Sequence, residues 1–141
     1  MSLSKDKPLV FVVDDEPTIA STVAQILALT GFDAKPFTDA LEALGAAFIE
    51  PPNLLISDVV MPQMSGVDLA IQVKRQCPDC KVLLFSGQAA TADMLKVARL
   101  NGYDFELLTK PVHPTDLLKQ IKSMIEVTPA RVPGGGVPVT E

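Results

Sequence analysis

The sequence predicts an α/β fold in which a parallel sheet is covered by helices on both sides, and two patterns carry that reading. Five short apolar runs alternate with five segments of helical period. The apolar runs are continuous rather than alternating, as strands buried on both faces require. Such strand–helix units join through right-handed crossovers almost without exception. At 141 residues the chain is expected to form one domain with a core large enough to need neither disulfide nor structural metal.

Each element has its own signal. Leu9-Val10-Phe11-Val12-Val13 is the first run and stops at two acids. Ile19, Val23, Ile26 and Leu27 then fall at i, i+4, i+7 and i+8, one face of a helix that Pro17 opens and Gly31 stops. Ala34 to Phe37 reads as an edge strand, because Pro36 lacks the N–H that a central strand must donate. Leu41, Leu44 and Phe48 mark a second helix, with Asp39 and Glu42 placed as a capping pair. Leu54-Leu55-Ile56 is the third run, ending at Ser57-Asp58, and a helix from Ser65 to Gln76 follows with Leu69 and Val73 inward. Lys81 to Phe85 is the fourth run, ending at Ser86-Gly87; Thr91 to Leu100 is helical and Gly102 ends it. Phe105 to Thr109 is the fifth run, ending at Lys110-Pro111, and Leu117, Ile121, Met124 and Ile125 give the last helical face. The folded domain is expected over residues 8–127. Residues 1–7 read as a disordered terminus or expression remnant, and 128–141, with three prolines and the triplet Gly134-Gly135-Gly136, as a disordered tail.

Composition removes several classes of function. Twelve Lys+Arg against seventeen Asp+Glu, a formal charge of −5, argues against duplex nucleic acid, whose phosphates need a cationic surplus. Nothing approaches eighteen consecutive apolar residues, so membrane insertion is not expected, and no apolar signal-peptide core follows Met1. Two cysteines in such a chain fit a reducing, cytoplasmic setting.

In an open parallel sheet, ligands bind at the carboxyl ends of the strands. Asp14, Asp15 and Glu16 stand after the first run, Asp58 after the third, Ser86 after the fourth and Lys110 after the fifth. Singly, each has an ordinary explanation as an N-cap, a turn residue or a surface lysine. Together they place three aspartates, a hydroxyl and an ammonium on one edge of the sheet. Two carboxylates about 4 Å apart repel by roughly 4 kcal/mol at an effective dielectric near 20, so three in one cleft call for a cation. An all-oxygen donor set points to Mg²⁺, or Mn²⁺ in its place. Asp58, after the central strand, is placed to be a nucleophile that forms an acyl phosphate, with Lys110 neutralising the transferring group and Ser86 bonding one of its oxygens.

These residues resemble a response regulator receiver domain, the phosphoacceptor half of two-component signalling. The most specific block is Asp58-Val59-Val60-Met61-Pro62-Gln63-Met64-Ser65-Gly66-Val67-Asp68-Leu69, similar to the family's phosphoacceptor loop, with Asp14-Asp15, Ser86 and Lys110-Pro111 in order around it. The resemblance implies a flavodoxin-like three-layer sandwich, its five parallel strands in order 2-1-3-4-5. It implies that Asp58 takes a phosphoryl group from a sensor histidine kinase or histidine phosphotransfer protein and switches binding of a downstream protein effector. Asp15 and Asp58 would bind Mg²⁺ directly, Asp14 through water, and the Val60 carbonyl would complete the protein ligands. The Lys110–Pro111 bond would be cis. The chain would catalyse its own phosphotransfer and slow dephosphorylation and nothing else.

Three positions depart from the family pattern. Leu107 stands where an aromatic switch residue is usual, and Phe105 or Tyr103 would have to replace it. Gly102 to Lys110 is one residue longer than expected, which suggests a bulge or a shifted helix end. Val60 and Gln88 stand where residues tune access of hydrolytic water, and an apolar Val60 predicts a long-lived phospho-form. A phosphorylation-independent interaction module is the alternative reading, supported by Leu107. A phosphatase of the haloacid-dehalogenase type needs Asp-x-Asp after the first strand, which is not the pattern here. Cys77-Pro78-Asp79-Cys80 has redox spacing but ends a helix instead of opening one, so it reads as a plain loop. His113 reads as the start of the last helix, and Met61 and Met64 as loop packing.

Overall fold

The structure is a computed structural model that describes residues 7–87 and 91–125. The element order is β1 (Leu9–Val13), α1 (Pro17–Leu29), β2 (Asp33–Phe37), α2 (Ala40–Ile49), β3 (Leu54–Asp58), α3 (Gly66–Gln76), β4 (Lys81–Ser86), α4 (Thr91–Leu100), β5 (Glu106–Thr109) and α5 (Pro114–Met124). The five strands form one parallel sheet in the order β2-β1-β3-β4-β5. The order expected from the resemblance is the order found. The expectations for residues 1–6, Gln88 and 128–141 fall outside the described residues.

Local chemistry explains the element ends. Pro17 opens α1, and the chain leaves it through Thr30 and Gly31, the latter at φ 102, a left-handed conformation that glycine adopts without steric penalty. Ser65 caps α3 by accepting the Asp68 N–H at 3.0 Å, and Asp39 caps α2 by accepting the Leu41 N–H at 2.9 Å. Both cap substitutions to alanine should cost about 1 kcal/mol. His113 occupies the N-cap of α5 without a side-chain cap bond, and Pro114 supplies the first-turn signal instead.

The buried stretches of the central strands are apolar up to their carboxyl ends because each face meets its own helical layer. Along β1, Leu9, Phe11 and Val13 point into a core shared with α2, α3 and α4, and Val10 and Val12 into one shared with α1 and α5. Each fully buried Leu, Ile or Phe contributes about 1.5–3 kcal/mol. The edges differ: β2 and β5 are only partly buried, and Pro36 sits on the β2 edge paired with Val12, as its missing N–H allows.

The extra residue between Gly102 and Lys110 does not make a bulge. β5 pairs residue by residue with β4, from Leu83↔Glu106 to Ser86↔Thr109. The length is taken up before the strand, at 103–105, after α4 closes with Tyr103 N–H bonding the Ala98 carbonyl at 2.9 Å. Phe105 therefore precedes β5 instead of starting it.

Candidate functional site

Among the described residues, four polar or charged ones are buried, Asp14, Ser57, Asp58 and Ser86. All four stand at the carboxyl ends of β1, β3 and β4. Burying such groups is costly unless they are paired, so their gathering on one edge needs a local explanation. The edge is also where strand order reverses, with β1 flanked by β2 on one side and β3 on the other.

The β1 end comes first. The Asp14 N–H extends the ladder by one rung to the Phe37 carbonyl at 3.0 Å. Its Oδ1 accepts the Glu16 N–H at 2.9 Å, which fixes the carboxylate where α1 begins. Asp15 beside it is exposed. From β3, Asp58 adds its carboxylate, and Asp14, Asp15 and Asp58 bring carboxylate oxygens within 4.8 Å of one another. Lys110 reaches in from the end of β5, its Nζ 2.9 Å from Asp58 Oδ1 and 4.0 Å from Asp14 Oδ2. The Lys110 N–H bonds the Ser86 carbonyl at 2.9 Å, so the last residue of β4 and the lysine share one rung. The Lys110–Pro111 peptide is cis, as the resemblance implies.

Electrostatics make this an underneutralised site. Burial pushes the Asp14 carboxyl above its usual range; the Glu16 N–H opposes this, Asp58 raises it further, Lys110 opposes, and Asp15 adds a smaller rise. One ammonium faces three carboxylates. A hard divalent cation with oxygen ligands fits this donor set, and Asp14, Asp15, Asp58 and the Val60 carbonyl are the residues that could hold it. Val60 follows β3 with its side chain about half exposed, at 52%.

Two residues in the site carry roles that spacing alone did not reveal. Ser57 is fully buried, and its hydroxyl donates to the Asp58 carbonyl at 2.9 Å. Gly66 packs its Cα against the same carbonyl, where a Cβ would collide with Asp58 O and lie 2.9 Å from Ser57 Oγ. A signal for Ser57 was present: a hydroxyl inside an otherwise apolar strand must find a partner. Gln63, in the same loop, is held at φ 70, which for a non-glycine residue stores about 1 kcal/mol.

The cysteine pair set aside on sequence stays outside the site, and the two loop methionines pack against the core. Cys77 and Cys80 are buried free thiols at the opposite end of the sheet, between α3 and β4. Burial raises both, Cys80 to about 12 with the neighbouring Cys77 adding to the rise. Met61 and Met64 pack against the core under α2, α3 and α4. Tyr103 and Phe105 stack with ring centroids 5.9 Å apart and pack against that same core, whereas Leu107 lies 38% exposed on β5.

Comparison with known proteins agrees with the geometry. The sequence profile of the response regulator receiver domain matches residues 10–122. The chain is 29% identical over 119 residues to the probable transcriptional regulatory protein TcrX of Mycobacterium tuberculosis, covering 84% of this chain and 50% of that one. It is 29% identical to the response regulator receiver protein CpdR of Brucella abortus, covering 82% of this chain and 95% of that one. The chain thus spans about half the length of TcrX, and 48% of the regulatory protein PhoP of Bacillus subtilis. Among solved structures, the chemotaxis protein CheY4 of Vibrio cholerae superposes with a TM-score of 0.75 at 26% identity, covering 84% of this chain and 99% of that one. A CheY-like receiver domain protein of Methanospirillum hungatei gives 0.75 at 30% identity, with 83% and 92% coverage.

Proposed function

The chain belongs to the response regulator receiver domain family of two-component signalling, and from that premise we propose that Asp58 is its phosphoacceptor. The observation that carries the reading is the buried Asp58 carboxylate held 2.9 Å from Lys110 and clustered with Asp14 and Asp15. An Asp58 carboxylate oxygen attacks the phosphorus of a phosphohistidine on a sensor histidine kinase or histidine phosphotransfer protein. The O–P bond forms as the P–N bond breaks, and the imidazole leaves as a neutral ring once it takes up a proton. The Lys110 ammonium offsets charge on the phosphoryl oxygens, and the Ser86 hydroxyl, at the end of β4, hydrogen-bonds one of them. Asp14, Asp15, Asp58 and the Val60 carbonyl would hold Mg²⁺ or Mn²⁺, which would supply the remaining positive charge.

The reaction converts a carboxylate that pairs with Lys110 into an acyl phosphate, and this changes the charge at the ends of β3, β4 and β5. That change is the signal read by a downstream protein effector. The charge of −5 favours a protein over duplex nucleic acid as what this part of the molecule touches directly. The site turns over its own aspartyl phosphate and no external substrate, and the setting is cytoplasmic. Among the described residues no helix is long and apolar enough to cross a membrane. The exposed Leu107 favours a second reading, a module that binds its partner without phosphorylation.

Intact-mass spectrometry after incubation with acetyl phosphate, with and without Mg²⁺, separates the two. The acceptor reading expects a Mg²⁺-dependent gain of one phosphoryl group that Asp58→Asn abolishes. No gain in either condition leaves the phosphorylation-independent module.

A further inference from the structure

We infer that Ser57 is a positioning residue for the phosphoacceptor, locking the Asp58–Val59 peptide so that the Asp58 carboxylate keeps its aim; the inference rests on the acceptor reading above. The peptide is held from three sides. The Val59 N–H donates to the Phe85 carbonyl of β4 at 3.0 Å. On the opposite side of the same peptide, the Asp58 carbonyl accepts the Ser57 hydroxyl at 2.9 Å. The third side is the Gly66 Cα, so close that no Cβ fits between it and this carbonyl.

The site makes such a lock necessary. The ladder between β1 and β3 has its last pair at Val13↔Ser57, one residue before Asp58. The rung that would orient the Asp58 carbonyl toward β1 is replaced by the side chain of the preceding residue. The loop beyond is closed by the Gly66 N–H on the Val59 carbonyl at 2.8 Å, so the peptides on either side of Val59 are both pinned. Ser57 has one proton to give. Its other reachable acceptor is the Met61 thioether at 4.0 Å, a weaker partner at longer range, so the proton goes to Asp58. Without the hydroxyl, a buried carbonyl loses its donor, and the peptide can rotate about the Cα that carries the nucleophile.

The test compares Ser57→Ala and Ser57→Cys with the wild type. Cysteine has nearly the shape of serine but is a weak donor, so it separates the hydrogen bond from the volume. Phosphorylation by acetyl phosphate with saturating Mg²⁺ is followed by intact mass across donor concentrations, and amide hydrogen exchange is read by NMR. Both variants are expected to lower the maximal rate about fivefold or more with little change in the half-saturating concentration. They should also speed exchange at Val59 and Gly66 while leaving β1 protected. A wild-type maximal rate in either variant overturns the inference, as does a slower rate with exchange raised equally across β1 and β4, which is general loosening. A wild-type chain that takes up no phosphoryl group fails the acceptor reading, and this inference with it. A phosphorylated wild type matched by an equally fast Ser57→Ala fails this inference alone.

Discussion

At one end of β4 stands Ser86, and just before its other end stands Cys80; the two side chains are almost equally buried, at 5% and 1%. At the Cys80 end, the loop closes on itself: the Cys80 N–H bonds the Cys77 carbonyl at 2.9 Å, and Lys74 donates to the Pro78 and Cys80 carbonyls at 3.1 and 2.8 Å. The nearby cation is committed to carbonyl oxygens, and burial pushes the thiol up to about 12, which keeps it protonated at neutral pH. At the Ser86 end the lysine is not committed to backbone. Lys110 Nζ meets Asp58 and approaches Asp14, leaving a surplus of negative charge beside a half-exposed loop. Burial by itself therefore does not make a reactive site. What separates the two ends is where the cation points and whether charge is left unbalanced.

The largest expected break in this contrast is Lys110→Ala, which removes the cation from the charged end. Phosphoryl uptake should fall about 10²–10³-fold by intact mass, and a rate near wild type would show that the lysine is not used. Gly66→Ala comes next. It drives a Cβ into the Asp58 backbone, and overpacking of this kind should cost about 2–3 kcal/mol, roughly 10 °C in Tm by calorimetry.

At the quiet end, Cys80→Ser buries a hydroxyl where a thiol packed and should lose about 1–2 kcal/mol in urea denaturation, with phosphoryl uptake unchanged. Iodoacetamide at pH 8 should leave both thiols of the folded wild type unmodified and label them in denaturant.

A smaller effect, about 1 kcal/mol, is expected for Asp14→Asn in EDTA, and it is stabilising because it removes a buried charge beside two others. The sign follows from the raised Asp14 carboxyl. Its favourable contribution is full below the unfolded value of 3.8 and is lost as pH rises through the folded value. Relative to Asp14→Asn, the wild type should therefore lose stability between those two points and stay lower at neutral pH. The same variant should bind Mg²⁺ more weakly. Equal stability of the two proteins at pH 7 would contradict this. The smallest change is Val60→Asn, where a polar side chain can orient water. It should shorten the lifetime of the phospho-form about two- to fivefold, and unchanged decay would count against a role for Val60.

The fold was legible because its central strands are buried on both faces and so carry unbroken apolar runs; β1 and α4 fall where the runs and periods place them. The site was legible because its charged residues terminate those runs. What escaped lies at shorter range. The strand start at Glu106 instead of Phe105 depends on how a helix exit absorbs one extra residue, which periodicity does not encode. The roles of Ser57 and Gly66 depend on backbone approach within a loop, and residue type hints at that only after the loop's path is known. The capping pair shows the same limit: Asp39 bonds Leu41 as an N-cap should, and Glu42 stands in the first turn of α2, but only coordinates reveal which N–H the aspartate chooses.

The rung between the Lys110 N–H and the Ser86 carbonyl makes the ammonium and the hydroxyl parts of one mechanical unit. A substitution that shifts the Ser86 backbone should therefore shift the end of β5 as well, so the two strand ends are retuned together. For anyone grafting this site onto a sister scaffold, the inheritable piece is the joined ends of β4 and β5, carried over whole.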